Sequence, residues 1–186
     1  MSRVEGKMTG MSLRHAVLGL LAEQSGSGYD LLKRFQTAMA NVWSATQSQL
    51  YGELGKLEKA SLIKVADEGP RGRKEYEITE AGQEELRAWL LSPYDPPAPR
   101  SESLLRLYFL DAVSTEQAQA YVTGMGEIGQ RRLEHLDRLE ATVDWDSASV
   151  YGRLALEWGK RFSRMQAEWA EWSVAQLKDS PGVQGD

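Results

Sequence analysis

Two groups of side chains are spaced so that they can act together. Ser48, Gln49, Tyr51, Lys56 and Lys59 lie within one short stretch, and Arg71, Arg73 and Lys74 place three cations in four residues. Hydroxyls, amides and cations of this kind suit nucleic acid. Gln49 has the donor and acceptor needed to read adenine, and lysine and arginine more often hold phosphates. Bond-making chemistry has no comparable set. The two histidines, His15 and His135, are far apart, cysteine is absent, and no nucleophile-base set can be recognised. We therefore expect no enzyme, no metal site and no cofactor. Glu134, Asp137 and Glu140 sit at helix-surface spacing with Arg131, Arg132 and Arg138 and read as solvated ion pairs. Gly26-Ser27-Gly28 lacks the following Lys-Ser/Thr of a phosphate loop.

The elements that must position these groups follow from hydrophobic spacing. Leu50, Leu54 and Leu57 recur at i, i+4 and i+7, which predicts a helix from Ser44 towards Ile63 with one buried stripe. Two capping boxes fit its start, Ser44 with Gln47 or Thr46 with Gln49. The opposite face carries Ser48, Gly52, Gly55, Lys56 and Lys59, with Gln49 at its edge and Tyr51 on the flank. Gly52 and Gly55 would let the helix backbone approach a groove closely. Leu62 to Thr79 alternates as a β-hairpin around a Gly69–Lys74 tip. A small polar-basic helix face followed by a basic hairpin describes a winged helix-turn-helix. Its helix enters the major groove, and its wing reaches phosphates or the minor groove.

The segment from Leu13 to Pro93 resembles the PadR family of transcriptional regulators. The matching residues are Leu18-Gly19-Leu20-Leu21, Gly28-Tyr29-Asp30-Leu31, Ser48-Gln49-Leu50-Tyr51 with Leu54 and Leu57-Glu58, the Gly72-Arg73 tip, and Tyr76-Glu77-Ile78-Thr79-Glu80-Ala81-Gly82. Arg100 to Leu107 resembles the start of the C-terminal domain in the subfamily with a long helical extension. The chain departs from the family where Ala60-Ser61 replaces a usual glycine after the recognition helix, and where Gly52 and Gly55 replace larger residues. The resemblance implies dimerisation through C-terminal helices. It also implies ligand sensing, since some such repressors respond to flat aromatic compounds. Trp145, Trp158 and Trp169, with Trp172, are candidates to wall such a pocket.

The rest of the chain divides around this module. Residues 1–11 lack a periodic pattern and are expected to be a disordered tail, with Ser12 capping a first helix. Residues 12–92 form the winged helix-turn-helix, with His15 an exposed or edge histidine and Trp43 in the core. Residues 93–100 are a linker, since Ser92–Pro99 holds four of the six prolines. Residues 101–178 are helical throughout. There Tyr151, Leu154, Trp158, Phe162, Met165, Trp169 and Trp172 step by threes and fours, a seam suited to a second copy. An earlier helix carries Ala118, Tyr121, Met125, Ile128, Leu136, Leu139 and Val143 on one face, with Gly124, Gly126 and Gly129 marking a kink or a close helix contact.

Charge limits the reading. Residues 1–99 hold 12 basic and 13 acidic side chains, and the remainder 10 and 14, giving the overall −5. No global basic field attracts DNA, so binding must rest on local clusters. No signal-type or membrane-spanning apolar run occurs, which predicts a cytoplasmic protein. The expected fold is mainly α with a small β-hairpin: a winged helix-turn-helix followed by an α-helical dimerisation domain. The expected function is a homodimeric regulator, a repressor, that binds a palindromic operator in double-stranded DNA and responds to a small aromatic ligand. The alternative is a winged-helix module that binds a protein partner.

Overall fold

The computed structural model describes residues 2–39, 45–94, 100–145 and 149–179. Trp43, the candidate cap Ser44 and most of the proline-rich linker lie outside them. The chain forms two compact units, Met1–Asp95 and Pro96–Asp186.

The first unit runs α1 (Ser2–Glu23), β1 (Gly26–Ser27), α2 (Gly28–Ala38), α3 (Gln47–Lys59), β2 (Ile63–Gly69), β3 (Arg73–Ile78) and α4 (Glu80–Leu91). The antiparallel sheet has the order β1-β3-β2, so the hairpin gains a short third strand. Gly26 pairs with Tyr76 and Ser27 with Glu75. α1 is helical from Ser2, which corrects the disordered tail, and Ser12 is interior to it and not its cap. No proline interrupts residues 2–12, and a helix already nucleated by buried residues extends at little further cost.

The core explains these elements. Leu13, Val17, Leu18, Leu20 and Leu21 of α1 meet Leu31, Leu32 and Phe35 of α2, Leu50, Leu54 and Leu57 of α3, and Ile63 and Tyr76 of the sheet. Each buried leucine contributes about 1.5–3 kcal/mol. Gly82 fixes how α4 meets the sheet: a Cβ there would lie 2.1 Å from the main-chain oxygen of Leu62. His15 is buried, not exposed, because Trp89 of α4 stacks on it with ring centroids 4.5 Å apart. Arg14 beside it donates two hydrogen bonds to Glu85 of α4.

The second unit contains α5 (Glu102–Tyr108), α6 (Thr115–Glu140) and α7 (Val150–Asp179). Ser114 caps α6 through a reciprocal box with Gln117. α6 and α7 pack antiparallel at close range. A Cβ on Gly126 would lie 2.6 Å from the Ala170 Cβ, and one on Gly129 2.9 Å from the Ser163 main-chain oxygen. Gly124 has open space around it, so two of the three glycines mark close helix contact. The buried side of α6 holds Ala118, Val122, Gly129 and Leu136, whereas Ile128, expected on that side from its spacing, is exposed. At the far end Lys160 of α7 bonds both Asp137 (2.8 Å) and Glu140 (2.5 Å). Those two carboxylates raise its pKa.

Candidate nucleic-acid interface

α3 carries the centre of the site. Leu50, Leu54 and Leu57 turn into the core, which leaves Ser48, Gln49, Tyr51, Gly52, Lys56 and Lys59 exposed on the other side. The second of the two capping boxes forms. The Thr46 hydroxyl accepts from the Gln49 N–H, and the Gln49 side-chain oxygen accepts from the Thr46 N–H at 2.8 Å. Gln49 would therefore have to release its cap to offer both amide atoms to an adenine. Tyr51 leans on the start of α2, where a Cβ on Gly28 would lie 2.7 Å from its ring. Gly28 is thus the space that the Tyr51 ring occupies.

The cations have partners that the sequence reading did not assign. Lys56 bonds Glu53 at 2.8 Å, and Glu53 is buried, so this lysine neutralises a carboxylate within the fold. Arg73 bonds Asp30 of α2 at 2.9 Å, and Lys74 bonds Glu58 of α3 at 3.0 Å. Lys59 is exposed and makes no ion pair with the described residues. The hairpin tip is a single 3-10 turn, Pro70–Gly72, with Gly72 at φ 75° in the left-handed region. Arg71 lies in that turn. Arg73 and Lys74 belong to β3, opposite Gly69 and Glu68, and not to the tip.

Asp30 is the best-held of these carboxylates. Its Oδ2 accepts from the Ser27 hydroxyl (2.5 Å), the Ser27 N–H (3.1 Å) and Arg73 (2.9 Å). The Ser27 hydroxyl, the Ser27 N–H and the nearby Arg73 charge hold its pKa below the ordinary aspartate value. The bond to Glu58 raises the pKa of Lys74. The sequence did contain a signal for Asp30: Ser27 and Asp30 stand at capping-box spacing, and the box forms at the start of α2.

In the second unit the expected seam of α7 points outward. Tyr151, Leu154, Trp158, Phe162, Met165 and Trp172 are exposed, and Trp169 is half-buried. Trp158 stacks on Phe162, with centroids 5.4 Å apart. Trp145 instead lies under the Arg153 guanidinium and donates to the Glu140 carbonyl. Trp158 and Trp169 are eleven residues apart on α7, about 16 Å along its axis. A groove of about 500 Å³ runs along α6 and α7, lined by Thr123, Gly126, Glu127, Gln130, Ala167 and Ala170 among others, and none of the three candidate effector tryptophans borders it.

Residues 17–88 match the family described as the transcriptional regulator PadR-like family, and residues 99–178 match the one described as virulence activator alpha C-term. Residues 17–88 thus carry a domain of the PadR-like family of transcriptional regulators. The chain is 34% identical over 110 residues to the negative transcriptional regulator PadR of Bacillus subtilis (strain 168). That match covers 57% of this chain and 60% of the relative, so the chain spans less than two thirds of that relative's length. The fold agrees over a longer span. The crystal structure of Bacillus subtilis PadR in complex with operator DNA matches with TM-score 0.77 and 28% identity, covering 89% of this chain and 99% of that one. The structure of the same organism's PadR in complex with p-coumaric acid matches with TM-score 0.75 and 29% identity, covering 89% and 98%. The family is one of regulators and not of enzymes.

Proposed function

We propose that this chain is a cytoplasmic, homodimeric repressor that binds a palindromic operator through α3 and the β2–β3 wing and responds to a small aromatic ligand. One observation carries the DNA part: the polar face of α3 is exposed while its leucines are buried, so its outward residues are free to enter a groove. Ser48, Gln49, Tyr51 and Gly52 would face bases. Lys56, Lys59, Arg71, Arg73 and Lys74 would hold phosphates. The likeness to a PadR solved on operator DNA supports this reading. The likeness to the PadR complex with p-coumaric acid supports an aromatic effector. No described helix is long and apolar enough to cross a membrane.

The outward seam of α7 supports the dimer. A second copy would cover Trp158, Phe162 and Met165, and the resulting two-fold axis suits two half-sites about one helical turn apart. Sedimentation equilibrium of wild type and Trp158→Asp tests this. A dimer that dissociates in the variant supports the seam, and an unchanged assembly removes it.

The paired cations favour attention to the second reading, a winged helix that meets a protein. Fluorescence anisotropy with DNA from upstream of the protein's own gene, against scrambled DNA at low and near-physiological salt, separates the two. Preference that survives the higher salt, together with weaker binding to both DNAs and a shallower salt dependence in Lys59→Ala/Arg73→Ala, establishes the regulator. Equal, salt-labile binding of both DNAs favours the protein partner. Lys56 is left intact in this test because its loss would strand the buried Glu53.

A further inference from the structure

We propose that Asp30 and Glu58 are specificity-determining residues: they occupy the wing cations in the free protein, and DNA phosphates must displace them. The inference rests on the DNA-binding reading above and concerns how that surface is regulated.

The geometry is that of two cross-links between the wing and the two helices of the motif. β3 presents Arg73 to Asp30 of α2 and the adjacent Lys74 to Glu58 of α3. Both pairs join residues distant in sequence. Neither is a helical neighbour pair of the kind that decorates any helix surface. Asp30 is partly exposed but held in place. Ser27 grips the same oxygen that faces Arg73, and Ser27 is itself buried and fixed by the pairing of β1 with β3. An anion is therefore built into the base of the wing, 2.9 Å from the guanidinium. Lys56 is also occupied, but within α3, by its i,i+3 neighbour, the buried Glu53.

The consequence concerns discrimination. A neutral Arg73–Asp30 pair placed against DNA releases almost no net counterion, whereas an unpaired arginine releases about 0.9 per phosphate. Non-specific DNA offers only phosphates, so it cannot readily drive the exchange. A cognate site adds base contacts from α3, and these offset the exchange. The carboxylates thus suppress binding to bulk DNA more than binding to the operator. This accounts for a DNA-binding unit whose 12 basic and 13 acidic side chains give it no net positive charge over residues 1–99.

The test uses the full-length chain and three variants, Asp30→Asn, Glu58→Gln and Asp30→Asn/Arg73→Ala. Asparagine keeps an oxygen for Ser27 and removes the charge. Affinity for upstream and scrambled DNA is measured across a salt series, with thermal melts to confirm that each variant folds. Asp30→Asn is expected to bind scrambled DNA roughly tenfold more tightly and upstream DNA by a smaller factor, with a salt slope steeper by about 0.9. Arg73→Ala in the same chain is expected to abolish the gain. Glu58→Gln provides an independent arm through Lys74, should Asp30→Asn melt early. Unchanged slopes, or weaker binding to both DNAs in both single variants, would overturn the proposal and leave the carboxylates as wing positioners only. If the wild-type chain shows no preference for any DNA while the variants behave as it does, the regulator reading fails as well.

Discussion

The main-chain N–H of Leu62 donates to the carbonyl of Leu57 at 3.1 Å, across the end of α3. With Ser61 N–H donating to Glu58, this is a Schellman turn, and it places Ser61 at φ 59° in the left-handed region. Leu57 and Leu62 are both buried, which supplies the apolar contact that accompanies such a turn. The departure from the family's usual glycine therefore falls where a left-handed residue is required. A Cβ there costs about 1–2 kcal/mol, partly offset by the chain entropy that glycine would lose. Ser61→Gly is expected to stabilise the first unit by about 0.5–1 kcal/mol, read from its denaturation midpoint. Ser61→Ala should give no gain. Equal gains in both would assign the effect to the lost hydroxyl and not to the backbone.

Much of this module was legible from local rules. The i, i+4, i+7 leucines of α3 are buried, the Thr46–Gln49 box forms, and Leu62 to Thr79 is a hairpin. What escaped is what depends on partners far along the chain. β1 is two residues long and exists only because β3 lies beside it. His15 is buried because Trp89 stacks on it from another helix. The wing cations looked free because Asp30 lies 43 residues from Arg73 in sequence. In α6 the stripe was off by one position at its centre: Val122 and Gly129 face inward, since close approach of α7 selects small side chains there. Trp145, Trp158 and Trp169 share a residue type, but none of them borders the groove along α6 and α7.

Gly52 and Gly55 separate stability from recognition. A Cβ at either position meets nothing within 4 Å, so alanine fits and raises helix propensity by about 1 kcal/mol each. The added methyls would nevertheless project from the face proposed to enter the groove. Gly52→Ala and Gly55→Ala are expected to raise the denaturation midpoint while weakening operator binding. Operator binding at or above the wild-type level would show that this face does not approach DNA closely.

Gly129 and Gly124 lie on the same helix in opposite circumstances. At Gly129 a Cβ would press on main-chain atoms of α7, 2.9 Å from Ser163 O and 3.2 Å from Ala167 N, and main chain cannot move aside as a side chain can. Overpacking of that kind costs about 1–3 kcal/mol, against about 1 kcal/mol of improved helix propensity. Gly129→Ala should therefore lower the stability of the helical unit, and Gly124→Ala should raise it by about 1 kcal/mol. Paired urea titrations decide the matter. Stabilisation by both would mean that α6 and α7 separate more easily than their packing implies.

Glu85 ties stability to pH. The hydrogen bonds from Arg14, and then the charges of Arg14 and His15, hold its pKa below the ordinary glutamate value. A carboxylate lowered in the folded state contributes stability that is fully present above its unfolded pKa. That contribution is lost as pH falls through the folded value. At neutral pH the pair is worth about 1 kcal/mol, since both partners are only partly shielded from water. Glu85→Gln should therefore melt below wild type at neutral pH. The two curves should converge as pH drops beneath the ordinary glutamate range, where wild-type Glu85 is itself protonated. Melting temperatures recorded from about pH 7 to pH 3 test this. Curves that stay parallel throughout would mean that the lost contact is packing and not charge.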